Sequence, residues 1–364
     1  MAAVATTTRR PGGLSARLSD VVLDMSGLRV GLVAAQLAMI LQTWRLWDAR
    51  ALPPNLPVWS WLPQFDTRPV LLASLVLVLV QPRVGVLVHA GVVVVALALD
   101  QMRLQPEFVS VAILLVATGP WRLAPTLGRA HLASLWLWAG FAKATSLGFS
   151  STIAPFVARQ LGVPGLRSVV AWAVPATEVG LGIGAIMPAT RRWVGLAAFA
   201  FHVAAVFVLR MQLSWAIMPW NLALAWASLH LFFFAPRSAR AAGAAREPLF
   251  DGDRRRTALL LAVFAYPALV YVGMLDLYLG HHVYSDDGSG AVVCEADGHC
   301  STYSLDISAA AVGAIIPGER RVLEQWFELE CKRGQTLRIT GRTFRPPLDH
   351  AYGTSPTTVA CRTA

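Results

Sequence analysis

The chain of 364 residues carries 31 Lys and Arg against 21 Asp and Glu, a net charge of +10, with an isoelectric point near 10.2. Hydrophobic residues make up 55% and charged residues only 14%, with a mean hydropathy of +0.54, where a soluble domain has roughly 25% charged residues. This excludes a single soluble core. Because the arginines stand at the ends of apolar runs rather than along one face, it also argues against a nucleic-acid partner.

The first 26 residues are mostly polar, carry Arg9, Arg10 and Arg17, and lead directly into an apolar run, which predicts a retained cytoplasmic tail and no cleaved signal. Nine apolar runs follow, at 27–47, 69–81, 84–99, 107–121, 129–147, 168–187, 193–209, 213–235 and 257–279, several of them near the ~20 residues that cross a bilayer as a helix. Only Gln81, Pro82 and Arg83 separate the second from the third, so the count is seven if that pair forms a re-entrant hairpin and nine otherwise. The expected fold is an all-α polytopic membrane protein: a bundle over 27–235, a cytoplasmic linker rich in Ala, Arg and Gly over 236–256, and a last transmembrane helix over 257–279.

Alternating the loops places Arg83, Arg122, Arg129, Arg191, Arg192, Arg237, Arg240, Arg246 and Arg254 to Arg256 on the side of the N-terminal tail. The opposite side has only Arg50, Arg68, Arg103, Arg159, Arg167 and Arg210. The asymmetry predicts a cytoplasmic N-terminus and, with an odd number of spans, a C-terminal segment from residue 280 outside the plasma membrane. All four cysteines, Cys294, Cys300, Cys331 and Cys361, lie in that segment, where an oxidising compartment permits two disulfides in any of three connectivities. The segment reads as a small β-rich domain, with Val322 to Glu330 and Thr336 to Phe344 as strands around a glycine turn at Lys332 to Gln335.

Polar residues inside apolar runs are costly, and they mark the candidate site. Lys143 follows the run Leu135 to Ala142 and either faces the bundle or snorkels to the interface. Glu178 and His202 lie mid-span in the sixth and seventh runs, and Trp215, Pro219, Trp220 and Asn221 interrupt the eighth. The connection Asp100, Gln101, Met102, Arg103, Leu104, Gln105, Pro106 is rich in hydrogen-bonding groups and falls on the outer side. Gly180, Gly182 and Gly184 predict close helix packing rather than nucleotide binding, since no strand precedes them. His281, His282, His299 and His350 match no metal-binding spacing, so no metal is expected.

Four segments carry a family resemblance. Trp138-Ala139-Gly140-Phe141-Ala142-Lys143 is similar to the Ala-Gly-x-Lys-Lys segment of the vitamin K-dependent γ-carboxylases, and Phe201-His202 followed by Gln212 to Trp220 resembles a later histidine helix and its polar turn. Asp100-Gln101-x-Arg103-x-Gln105-Pro106 and Val174-Pro175-x-x-Glu178 resemble segments of the bacterial horizontally transferred transmembrane (HTTM) members of that group. The match covers about residues 28–235. Ala142 stands where the family has the first lysine of its pair, and the chain lacks the carboxylase's large extracytoplasmic region. The segments around Lys143 and Glu178 are also similar to the smaller DoxX and MauE membrane proteins, which are tied to quinone or thiol redox processes.

The resemblance implies an enzyme working on a lipid-soluble, quinol-like (vitamin K-like) molecule. Lys143 is then the base, His202 and Asn221 hydrogen-bond a developing oxyanion, and Glu178 or Asp100 orients Lys143 or Arg103. Asp100, Gln101, Arg103, Gln105, Trp215, Trp220 and Asn221 are the substrate-binding candidates. It equally allows a non-catalytic accessory protein whose outer domain captures a secreted peptide or protein. A transporter using Glu178 and His202 as proton carriers is a third reading, weakened by the lack of an inverted repeat.

Overall fold

The computed structural model describes residues 25–50, 53–209, 216–234, 253–272, 274–282, 290–303, 312–314, 318–340 and 357–362. Ten helices come first: α1 (Met25–Gln42), α2 (Arg68–Val80), α3 (Pro82–Leu99), α4 (Pro106–Val116), α5 (Ala124–Thr145), α6 (Ala154–Gln160), α7 (Arg167–Ile186), α8 (Arg191–Leu209), α9 (Ile217–Ser228) and α10 (Arg254–Ala265). A π-helix, Leu229–Phe234, prolongs α9, and another, Phe149–Ile153, leads into α6. A proline stands in the first turn of each of α2 to α6, where its missing N–H costs nothing and its fixed φ suits a helix start.

Each of the nine apolar runs overlaps one of these helices, the last of them only in its first half, and α6 is an addition that hydropathy does not foretell. Among the described residues, five helical stretches are long and apolar enough to cross a membrane: Met25–Gln42, Pro82–Leu99, Pro164–Ile186, Arg191–Leu209 and Ile217–Phe234. Their outward faces are apolar too, since Val30, Val94, Trp172, Trp193 and Phe207 are each more than half exposed. A helix bordering water would carry polar residues there, so these faces suit a lipid bilayer. α2 and α4 are shorter, with 13 and 11 residues, and α5 breaks its apolar pattern with Arg129, His131 and Lys143.

Two expectations need correction. The last apolar run is not one helix over 257–279. α10 ends at Ala265, a 3-10 turn covers Tyr266–Val270, and turns follow among 271–281. Pro267 is the cause, because it has no N–H for the carbonyl of Val263 four residues back. That carbonyl accepts instead from Ser134 Oγ (2.9 Å), and the next, Phe264 O, from Trp138 Nε1 (2.9 Å), so one face of α5 satisfies the broken helix end. The linker expected at 236–256 falls outside the described residues except at its end, where Asp253 caps α10 by accepting from Arg255 N.

The second correction is in the C-terminal domain, where Val322 to Glu330 belongs to a helix, α11 (Arg320–Glu330), and not to a strand. Its buried residues Val322, Leu323, Trp326 and Phe327 repeat at four-residue spacing, which only a helix gathers on one side. Of the strand expected over Thr336 to Phe344, Thr336 to Ile339 is one, and 341–344 lie outside the described residues. The sheet consists of β1 (Ala291–Cys294), β2 (Cys300–Thr302), β3 (Thr336–Ile339) and β4 (Thr357–Ala360) in the order β2-β1-β3-β4, all antiparallel. α11 divides its apolar side in two: Leu323 and Phe327 pack with Ala291, Leu337 and Ile339 of the sheet, while Val322 and Trp326 join the core of the helical bundle.

Cys294 pairs with Cys300 across β1 and β2, and Cys331 at the end of α11 pairs with Cys361 after β4. The second bridge closes a 30-residue separation and the first only 6. Loop-closure entropy then gives about 3.5 kcal/mol for Cys331–Cys361 and about 2 kcal/mol for Cys294–Cys300. Replacing each pair by serines in the full-length protein and following protease cleavage of the C-terminal domain against denaturant should show that larger loss for the Cys331–Cys361 variant. The reverse order would refute the assignment.

Candidate functional site

α5 and α7 run antiparallel in close contact, and glycine permits it. A Cβ on Gly140 would come within 2.7 Å of Pro175 O, and one on Gly182 within 2.8 Å of Leu137 N. Both contacts are with backbone, which cannot yield, so the expected packing role holds for Gly182. Gly184 meets only the Val194 side chain closely, and Gly180 has open space.

This approach brings Lys143 of α5 and Glu178 of α7 together. Helical side chains lean toward the N-terminus, and Lys143 follows that direction, with Nζ reaching back to Ala139 O at 3.5 Å. There it lies 3.0 Å from Glu178 Oε1 along a hydrogen bond and 2.9 Å from Oε2, off the line of one. The side chains are 5% and 9% exposed, so the lysine faces the bundle and does not snorkel. Glu178 Oε2 has no hydrogen-bond donor among the described residues.

His202 of α8 sits in a closed chain of hydrogen bonds. Its Nε2 accepts from Trp136 Nε1 of α5 at 2.9 Å, and an indole can only donate. The imidazole proton is therefore on Nδ1, which donates to Asn221 Oδ1 of α9 at 2.9 Å, while Asn221 Nδ2 donates to Ile217 O at 3.0 Å. Both ring nitrogens are occupied by protein, so His202 is placed to hold α5, α8 and α9 in register rather than to bind an oxyanion. Trp136, which fixes the tautomer, was legible in the sequence only as a bulky neighbour of Lys143.

Lys143, Glu178, His202, Trp220 and Asn221 all line one cavity of about 220 Å³. By that measure a single water needs about 15 Å³, so the space admits far more than one. The rest of the wall is apolar, including Leu135, Phe149, Ile153, Val157, Val174 and Val208. Phe149, Ile153 and Val157 come from the π-helix and α6, between the apolar runs 129–147 and 168–187, where hydropathy gives no signal. Trp215 lies outside the described residues.

The Asp100 connection is elsewhere and is neither an open substrate surface nor a solvated loop. Asp100 is fully buried and pairs with Arg50. It also accepts from Asn55 Nδ2 (3.1 Å), Leu56 N (3.2 Å) and Met102 N (3.1 Å). Arg103, also fully buried, donates to Leu46 O (2.9 Å), Asp48 O (3.0 Å) and Ala96 O (3.3 Å), and burial lowers its guanidinium to about 10, still a cation at neutral pH. Gln105 Nε2 donates to Met102 O (2.9 Å). Gln101 Nε2 reaches Pro57 O (3.1 Å) and Gln325 Oε1 of α11 (2.6 Å), and Gln325 Nε2 donates to the same Pro57 O (3.1 Å). These four residues shape a loop, and Gln101 docks the C-terminal domain on it.

Comparison of the chain with family models, with curated proteins and with solved structures returned no match. The site is read from its own geometry.

Proposed function

We propose that this is a multi-pass protein of the plasma membrane that admits a lipid-soluble, quinol-like hydroxyl compound to the cavity and removes its proton at the Lys143–Glu178 pair. The observation that carries the reading is a buried ammonium–carboxylate contact on the wall of an otherwise apolar cavity, with one carboxylate oxygen lacking a donor. In this reading the Glu178 carboxylate takes the hydroxyl proton and the resulting oxyanion pairs with the Lys143 ammonium. The negative charge moves from protein to substrate while the net charge of the cavity stays zero. Creating net charge in a low-dielectric site is the large cost, and this route avoids it.

The base role that the resemblance implies for Lys143 thus passes to Glu178, Lys143 stabilises the oxyanion as an ammonium, and His202 positions the helices. Seven to nine spans, a cytoplasmic N-terminus and an outer C-terminal domain complete the proposal. They rest on the arginine asymmetry and the confinement of cysteines to the C-terminal segment. The buried pair favours acid–base chemistry over a purely accessory role for the outer domain.

The test uses an alkylated 4-nitrophenol, whose anion is coloured, and purified protein in lipid nanodiscs at a pH where the free probe is neutral. Wild type is expected to bind the coloured anion. Lys143→Met, which removes the cation that stabilises it, is expected to bind no anion. Equal colour in both proteins would remove Lys143 from the reaction.

A further inference from the structure

Of the polar side chains on the cavity wall, Lys143, His202 and Asn221 are engaged with protein partners. Two buried atoms have no hydrogen bond among the described residues: Glu178 Oε2, an acceptor that lies 2.9 Å from the Lys143 ammonium but off the line of a hydrogen bond, and the indole N–H of Trp220, a donor only. Trp220 is 3% exposed, and at an interior position an indole N–H normally finds a partner. A buried water makes two to four hydrogen bonds, and a wall that is otherwise aliphatic and aromatic cannot give them to a volume of this size. The lining also reaches the surface of the bundle at Leu161, 54% exposed, and at Ala204, where the adjoining faces are apolar.

We infer that Trp220 is the specificity-determining residue of the cavity. Its N–H donates to the oxygen of an aromatic or long-chain alcohol that enters sideways from the bilayer, while Glu178 Oε2 accepts from a hydroxyl of the same ligand. The inference rests on the reading of the cavity as a ligand site and adds to it a second recognition point. It selects a class of molecule: an apolar body with an oxygen that accepts and a hydroxyl that donates. A hydrocarbon satisfies neither point and a methyl ether only the first.

The experiment measures binding of 4-octylphenol, 4-octylanisole and octylbenzene by calorimetry to the full-length protein in nanodiscs. Octylphenol is expected to bind about tenfold tighter than octylanisole, and octylanisole tighter than octylbenzene, a tenfold step being what one buried hydrogen bond typically provides. Trp220→Phe keeps the ring and is expected to weaken octylphenol about tenfold and to erase the difference between octylanisole and octylbenzene. The comparison among ligands on wild type needs no variant to fold. Equal binding of all three would overturn the inference in favour of a merely apolar cavity. Unchanged octylphenol binding in Trp220→Phe, with Lys143→Met still defective in the nitrophenol assay, would overturn the Trp220 role alone. No binding of octylphenol or of nitrophenol to wild type would overturn both readings.

Discussion

Lys143→Met is expected to lose about 3–5 kcal/mol of stability, because it leaves the Glu178 carboxyl buried without its partner. The double variant Lys143→Met/Glu178→Leu is expected to recover most of that loss. A neutral hydrogen bond between membrane helices contributes roughly 0.6–2 kcal/mol, since the unfolded chain in a membrane finds other partners. A buried charge stripped of its counterion has no such relief, so breaking the pair costs far more than the pair itself contributes. Reversible unfolding in mixed micelles of the wild type, both single variants and the double variant measures the coupling directly. If the double variant is as unstable as the sum of the singles, the two side chains are not paired in the folded protein. If the recovered double variant binds the nitrophenol anion as wild type does, the chemistry lies elsewhere.

The second large effect is expected at Asp100. Asp100→Asn replaces one carboxylate oxygen by an amide donor that faces Arg50 and Asn55, which are themselves donors at that point. Arg50 and Arg103 then remain buried as cations with no anion between them, and a loss of about 3–5 kcal/mol is expected. Raising ionic strength should not mimic the substitution, because a fully buried group is screened far less than a surface pair. The adjacent Gln101 is held by its backbone N–H on Leu56 O (2.7 Å) and by its side chain on Gln325. Asp100→Asn is therefore expected to expose α11 to protease as well, while Gln325→Ala affects the domain contact alone. Wild-type protease resistance and stability in Asp100→Asn would show that the arginines find other partners.

What could be read from the residues divides along physical lines. The positions of the membrane helices were legible because hydropathy is local: the run at 193–209 became Arg191–Leu209 and that at 84–99 became Pro82–Leu99. Lys143, Glu178, His202 and Asn221 could be singled out because polarity at such depth is expensive whatever the neighbours. Their partners could not be read, since Trp136 and His202 are 66 positions apart and meet only through helix packing. The Asp100 loop misled for the same reason: polar residues near an apolar run look like solvated connection until Arg50, from a different stretch of chain, is folded over them. In Val322 to Glu330 the segment is too short for the two hydrophobic periods to separate clearly, and its packing against both sheet and bundle decided for helix.

The bond from Gln101 to Gln325 joins residues 224 positions apart. At the usual speed of synthesis, ~5–20 residues per second, that interval lasts roughly 11–45 s, during which α4 to α10 are made while α1 to α3 are already complete. The Asp100 loop draws its main contacts from residues 46 to 105, so it can set early and wait as a finished platform. The C-terminal domain, made after the bundle, then has a template on which to settle, and the order of manufacture becomes part of how this protein reaches its native form.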